Sequence, residues 1–212
     1  MLEQAAALLN GMNINWAFCG GYAIDLFLGK QTRKHGDIDI CVFEKDRNTI
    51  IDHMLASGWE VYEFRGMGRL RKLTAEMSSE SGRNLMCLKK GCKLVDFYPC
   101  DEPGLLYYVF HHAGMEEFDY IEFLFNNTEA GKFVFNKERG LYRDIEKAIL
   151  TDGKNRYLAP EIALMYKAAN ADDENCRHDY MNAAIELNEE QREWLINGLD
   201  LCYPHDHPWK QK

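Results

Sequence analysis

No run of about 18 apolar residues, the length a membrane-spanning helix needs, occurs in the 212 residues of this chain. The first ten residues carry Glu3 and an alanine-rich run but no basic stretch leading into an apolar one, so a secretory leader is not read there. Cysteine is present, seven residues in all, yet no CxxC pair and no zinc-finger spacing can be found. An odd number without those spacings argues against a disulfide framework and against a zinc ribbon, and the expectation is a soluble cytoplasmic protein with reduced thiols. Positive charge is in short supply: 25 Lys and Arg stand against 34 Asp and Glu, a formal charge of -9. That balance disfavours a protein that grips long nucleic acids or an anionic membrane face, and suits a compact or cationic substrate. Repeats and low-complexity tracts are absent as well. What remains, 46% hydrophobic and 28% charged, describes one globular core or one core with a small satellite.

Local patterns give an ordered series of elements. Leu2 to Leu9 has the spacing of an amphipathic helix and is stopped by Asn10-Gly11. Trp16 to Cys19 reads as a short strand, closed by Gly20-Gly21, after which Tyr22, Ala23, Leu26 and Phe27 fall at helical spacing up to Gly29. Ile38, Ile40 and Val42 alternate with Asp37, Asp39 and Cys41, which predicts a strand with its acids at the N-terminal end and on one face. A helix over Asn48 to Ser57 and a meander of strands at 59–64, 70–76, 85–88 and 93–98 follow. Beyond the polar stretch 151–155, Pro160 opens a helix that runs to Lys167. Two further helices are read at 179–186 and 190–201, the second with Asn188 as its N-cap. A boundary is therefore expected near 153, dividing a domain of residues 1–153 from a helical one of 154–212. The segment from Cys202 onward is read as a frayed or docked end.

Chemistry concentrates between residues 20 and 40. Carboxylates at i and i+2 of a strand project from one face about 7 Å apart and can share divalent metal, for which clustered aspartates favour magnesium. A glycine pair between a strand and a helix lets backbone N–H groups approach a phosphate at the positive end of the helix. Either feature alone has an ordinary structural explanation; together, one helix apart, they address a metal-bound triphosphate. A third acid is sought in Leu94-Val95-Asp96-Phe97-Tyr98, an apolar strand with a single charge. Asp96 there is either held by a cation or simply exposed on an edge strand.

The run Gly20-Gly21, Asp25, Gly29, Arg33, His35, Asp37-Ile38-Asp39-Ile40 resembles the signature of the aminoglycoside and lincosamide nucleotidyltransferases, the small antibiotic-modifying branch of the polymerase-beta-like superfamily. Val95-Asp96-Phe97-Tyr98-Pro99 is similar to their third-acid strand. Pro160-Glu161-Ile162-Ala163-Leu164, Lys167 and Arg177-His178-Asp179 resemble the start of their helical C-terminal portion. The resemblance implies an α+β fold, a nucleotidyltransferase-type mixed sheet with flanking helices followed by a small C-terminal helical region. It also implies transfer of a nucleoside monophosphate, AMP in the first instance, from a nucleoside triphosphate such as ATP to a hydroxyl of a small acceptor, cationic or neutral, such as an aminoglycoside or lincosamide. Two Mg2+ ions would sit on Asp37 and Asp39, Gly20 and Gly21 would meet the phosphates, and Asp96 would act as metal ligand or base. The superfamily often has serine after the glycine pair, where this chain has Tyr22, which leaves phosphate contacts to the backbone and to basic side chains. Arg33 and Lys167 are the nominees. Asp25 is read as orienting the glycine turn or a loop arginine, and His35 as a residue supporting the site or a structural hydrogen-bonding histidine.

Other readings compete. Asp-x-Asp also opens the haloacid-dehalogenase-like phosphatases, but their acids follow an apolar strand whereas Ile38, Ile40 and Val42 lie between and after these. A catalytically silent nucleotide-binding or toxin–antitoxin-type module is the alternative from another class, and monomer and homodimer both stay open. The basic run Arg65 to Lys72 is read as a solvated hairpin or triphosphate clamp before a nucleic-acid contact, Asp172-Asp173-Glu174 as an interhelical turn, and His111-His112 as structural.

Overall fold

The computed structural model describes residues 1–111 and 115–210, so His112 lies outside the described residues. In chain order the elements are α1 (Leu2–Asn10), β1 (Ala17–Phe18), α2 (Gly20–Leu28), β2 (Asp39–Phe43), α3 (Arg47–Ala56), β3 (Glu60–Gly66), β4 (Arg69–Leu73), β5 (Leu85–Leu88), β6 (Val95–Pro99), β7 (Leu106–Phe110) and β8 (Tyr120–Glu129). They continue as β9 (Lys132–Val134), β10 (Tyr142–Asp144), α4 (Ile145–Ala148), β11 (Ile149–Thr151), β12 (Arg156–Leu158), α5 (Pro160–Lys167), α6 (Glu174–Ala183) and α7 (Glu189–Cys202). The fold is mixed α+β, as the residue patterns imply. Among the described residues no helix is long and apolar enough to cross a membrane.

Two compact units are distinguished. One comprises residues 1–16 and 34–125, the other 17–33 and 126–212. The expected division at 153 followed a change in sequence character. The observed one falls after residue 125, with the glycine turn and α2 joining the later part of the chain, because α2 packs on α5, α6 and β12.

In the first unit the strands are ordered β2-β8-β5-β3-β4-β7-β6. Strand β2 is fully buried at Ile40, Cys41 and Val42, the near-continuous apolar run of a strand covered on both faces. Its neighbour β8 is in turn antiparallel to β5, with Met86 opposite Glu122. Strands β3 and β4 form a hairpin whose tip, Gly66, Met67 and Gly68, is held at positive φ. At the far end β6 has, among the described residues, only β7 as a partner and buries only Val95 of its five residues, with Asp96, Tyr98 and Pro99 exposed.

In the second unit β1 is parallel to β12, and β11 is antiparallel to it. Helix α5, begun by Pro160, is buried from Pro160 to Met165 and is the central helix of this unit. Helix α7 crosses it closely at Gly198, where a Cβ would stand 2.9 Å from Leu141 and 3.0 Å from Met165. Asn188 and Gln191 cap α7 reciprocally, as its N-cap spacing suggested. Helix α6 begins at Glu174, five residues before the expected Asp179, since the Asp173 side chain accepts the Cys176 N–H and starts the helix.

Candidate active site

Asp37 and Asp39 lie just before and at the start of β2, both half-buried, while Ile38 and Ile40 between and after them are fully buried. The alternation read from the sequence thus places the two carboxylates on the less covered face. Next to them, the Glu122 N–H donates to the Ile38 carbonyl at 2.9 Å, which fixes β8 beside the acid-bearing end of β2. Burial and the Asp37 charge push the Glu122 carboxyl up to about 7, against the opposing hydrogen bond that the Tyr120 hydroxyl donates to it. Tyr120, itself almost completely buried, has its phenol raised by burial and by the charges of Glu122, Asp37 and Asp39. Negative charge is therefore crowded at this end of β2, and a bound cation would relieve it.

All the donors are hard carboxylate oxygens, the chemistry magnesium prefers. Among the described residues no three His, Cys, Asp or Glu side chains are grouped closely enough to enclose a metal by themselves. This donor set fits magnesium in the manner usual for phosphate-transferring sites, where one or two carboxylates hold the ion and water and substrate phosphates complete its shell.

Asp96, expected as the third acid, has a different setting. Strands β7, β4, β3, β5 and β8 stand between β6 and β2 in the hydrogen-bonded order. The Asp96 side chain is 60% exposed and pairs with His111 Nε2 at 2.8 Å. A charge in an apolar-looking strand needs no metal when the strand is an edge, and that is where Asp96 is found. Glu122 carried the same signature, one acid in the run Tyr120-Ile121-Glu122-Phe123-Leu124-Phe125. The sequence pattern does not say which of the two strands lies beside β2.

In the second unit Gly20 begins α2 with φ 61°, a left-handed backbone that glycine adopts without strain. Asp25, buried on α2, accepts from both the amide and the hydroxyl of Thr32 through one oxygen, 2.9 and 2.7 Å away. It therefore fastens the loop after α2 rather than reaching a metal. That loop delivers Arg33, whose Nε and Nη2 donate to the two oxygens of Asp179 at 2.8 and 2.9 Å. Lys167, at the end of α5, reaches the same carboxylate at 2.9 Å. The structure so brings together the two basic residues nominated from the sequence, and the acid that joins them is the last residue of Arg177-His178-Asp179. Asp179 is fully buried, yet although burial resists its ionisation, the bond from Arg33 and the charge of Lys167 hold its carboxyl below the usual range. Two cations share this carboxylate, Asp173 lies close enough for the charge of Lys167 to lower its carboxyl as well, and both basic side chains keep some exposure, 18% for Arg33 and 14% for Lys167.

The basic run on β3 and β4 is largely neutralised. Arg65 and Arg71 bond the fully buried Glu63 at 2.9 and 2.8 Å, Arg69 bonds Glu102 at 2.6 Å and Lys72 bonds Glu60 at 2.5 Å. Such a hairpin offers little free charge to a phosphate backbone. His35 is buried, Asp173 serves as the cap of α6, and burial pushes the Cys41 thiol up to about 12, where it is no nucleophile.

Residues 1–86 match the family model described as aminoglycoside-2''-adenylyltransferase. The matched part contains the glycine turn, Arg33, Asp37 and Asp39, and leaves out Asp96, Glu122, Lys167 and Asp179. No curated protein sequence matches the chain. Among solved structures, the antibiotic-resistance factor ANT(2'')-Ia in solution aligns with a TM-score of 0.54 at 15% identity, over 96% of this chain and 91% of that one. The crystal structure of ANT(2'')-Ia with adenylyl-2''-tobramycin aligns at 0.50 and 16% identity, covering 92% and 91%. The lincomycin-bound lincosamide antibiotic adenylyltransferase LnuA aligns at 0.52 and 16% identity, covering 86% and 94%. At these identities the structures establish the fold, and the resemblance read from Gly20 to Ile40 agrees with the family model.

Proposed function

We propose that this chain is a magnesium-dependent nucleotidyltransferase that moves AMP from ATP to a hydroxyl of an aminoglycoside or lincosamide antibiotic and releases pyrophosphate. The observation that carries the reading is the acidic end of β2, where Asp37 and Asp39, inside the part that the family model matches, stand beside Glu122 of the neighbouring strand, which lies outside it. Asp37 and Asp39 are assigned to magnesium, which when bound neutralises triphosphate charge and acidifies the acceptor hydroxyl. Glu122 takes the base role first expected of Asp96: its carboxylate accepts the acceptor proton as that oxygen bonds to the α-phosphorus and the bond to the β-phosphate bridging oxygen breaks. Gly20 and Gly21 are assigned to phosphate through their backbone, Arg33 and Lys167 through their charge. Relatives of this fold are known with bound tobramycin and lincomycin chemistry, which supports antibiotic acceptors.

The test is pyrophosphate release from ATP with magnesium and either tobramycin or lincomycin as acceptor. Turnover that needs both acceptor and metal is expected. Tight ATP binding without turnover on any hydroxyl-bearing antibiotic would instead support the silent module.

A further inference from the structure

Residues 203–210 do not fray. His207 is 6% exposed and Trp209 5% exposed, and each is fixed by more than one contact. His207 Nε2 bonds the Ala168 carbonyl at 3.0 Å, and its Nδ1 accepts the Trp209 N–H at 3.2 Å. One ring nitrogen thus donates and the other accepts, which orients a neutral imidazole. Trp209 stacks on Tyr180 with centroids 4.4 Å apart and planes within 5°, and the Tyr180 hydroxyl donates to the Trp209 carbonyl at 3.0 Å. Lys210 Nζ closes the segment on itself, bonding the Tyr203 carbonyl at 2.6 Å and Asp200 at 2.8 Å.

The two anchor points are informative. Ala168 directly follows Lys167, and Tyr180 directly follows Asp179. The segment therefore ties the end of α5 to the middle of α6 at the residues adjoining the two members of the ion cluster that those helices contribute. Hydrogen bonds of the cluster hold three charged groups together, but the separation of α5 and α6 determines whether Lys167 and Arg33 share Asp179 in one geometry.

We propose that the segment Tyr203–Lys210 is a strap that sets the geometry of the Arg33–Asp179–Lys167 cluster, with Trp209 and His207 as positioning residues for binding the nucleotide triphosphate. The inference rests on the assignment of Arg33 and Lys167 to phosphate given above. Groups that must present charge within a fraction of an ångström are sensitive to the rigidity of what supports them. Removing the strap's anchor loosens that support without removing any group that meets the ligand.

Calorimetric titration with ATP in excess magnesium tests this on the full chain, for wild type, Trp209→Ala, Trp209→Phe and Lys167→Ala, with melting temperatures measured alongside. Trp209→Ala should weaken ATP binding about tenfold, and in turnover assays raise the KM for ATP while kcat and the KM for the antibiotic change about twofold or less. Trp209→Phe, which keeps a stacking ring, should restore most of the affinity. If Trp209→Ala melts too low to assay, His207→Ala takes its place with the same expected loss. Wild-type ATP affinity in the anchor variant, with Lys167→Ala impaired, would overturn the strap while leaving the phosphate assignment in place. Wild-type affinity in Lys167→Ala would overturn both. A loss in Trp209→Ala that the phenylalanine does not rescue, or that falls equally on both substrates, would mark a merely structural contact and also overturn the strap.

Discussion

Glu122 and Asp96 separate the residue-level account from what the linear sequence offers, because both are single acids in apolar strands. Glu122→Gln should lower turnover at least about a hundredfold, the usual scale for a removed general base, whereas Asp96→Asn should stay within a few-fold of wild type in steady-state assays. Glu122 also links stability to pH. With its carboxyl raised from the ordinary 4.5 to about 7, the folded protein holds this proton more tightly than the unfolded chain does. Stability of the metal-free protein should thus fall as pH rises from about 4.5 to about 7, by at most about 3 kcal/mol, and Glu122→Gln should flatten that limb in urea melts at pH 5 and pH 8. Magnesium, binding best to the ionised acid, should recover part of the loss at pH 8. That Asp37 and Asp39 share a face was legible in sequence because they alternate with Ile38 and Ile40. Which acid-bearing strand lies beside β2 was not, because strand order is a long-range property that no local pattern encodes.

Among the elements, α2 and α6 bear most directly on the basic cluster. Gly20 holds φ 61° at the first position of α2, so Gly20→Ala should cost about 1 to 2 kcal/mol and weaken ATP binding in the same titration. Asp179 on α6 joins α5 to the loop after α2, and it is fully buried between two cations. Asp179→Asn should destabilise the fold by about 3 kcal/mol in urea melts, since the cations lose a buried partner. Its carboxyl titrates below the usual 3.8, so its contribution is present above that pH and is lost only as pH falls through the depressed value. Element types were largely readable where caps and punctuation were strong, as at Asn188 and Pro160. Residues 100–155 were not resolved into strands by pattern: β9, β10 and β11 are three residues each, too short for periodicity to register, while β7 and the ten-residue β8 went unread although the run Tyr120 to Phe125 is strand-like in composition.

For the whole molecule, a charge of -9 and a basic hairpin paired with Glu60, Glu63 and Glu102 leave little free positive charge for a long polyanion. The compact units cut the chain elsewhere than a change in sequence character suggests, because α2 packs on α5 and α6 of the later part of the chain. The central claim is nucleotidyl transfer at the acidic end of β2. It is tested most directly by mass spectrometry of tobramycin and lincomycin incubated with ATP, magnesium and either wild type, Asp37→Asn or Glu122→Gln. The account predicts that one antibiotic gains a single adenylyl group with wild type, and that both variants lose this product by at least about a hundredfold while keeping the wild-type fold by circular dichroism. An adenylylated product formed at the wild-type rate by either variant would contradict it.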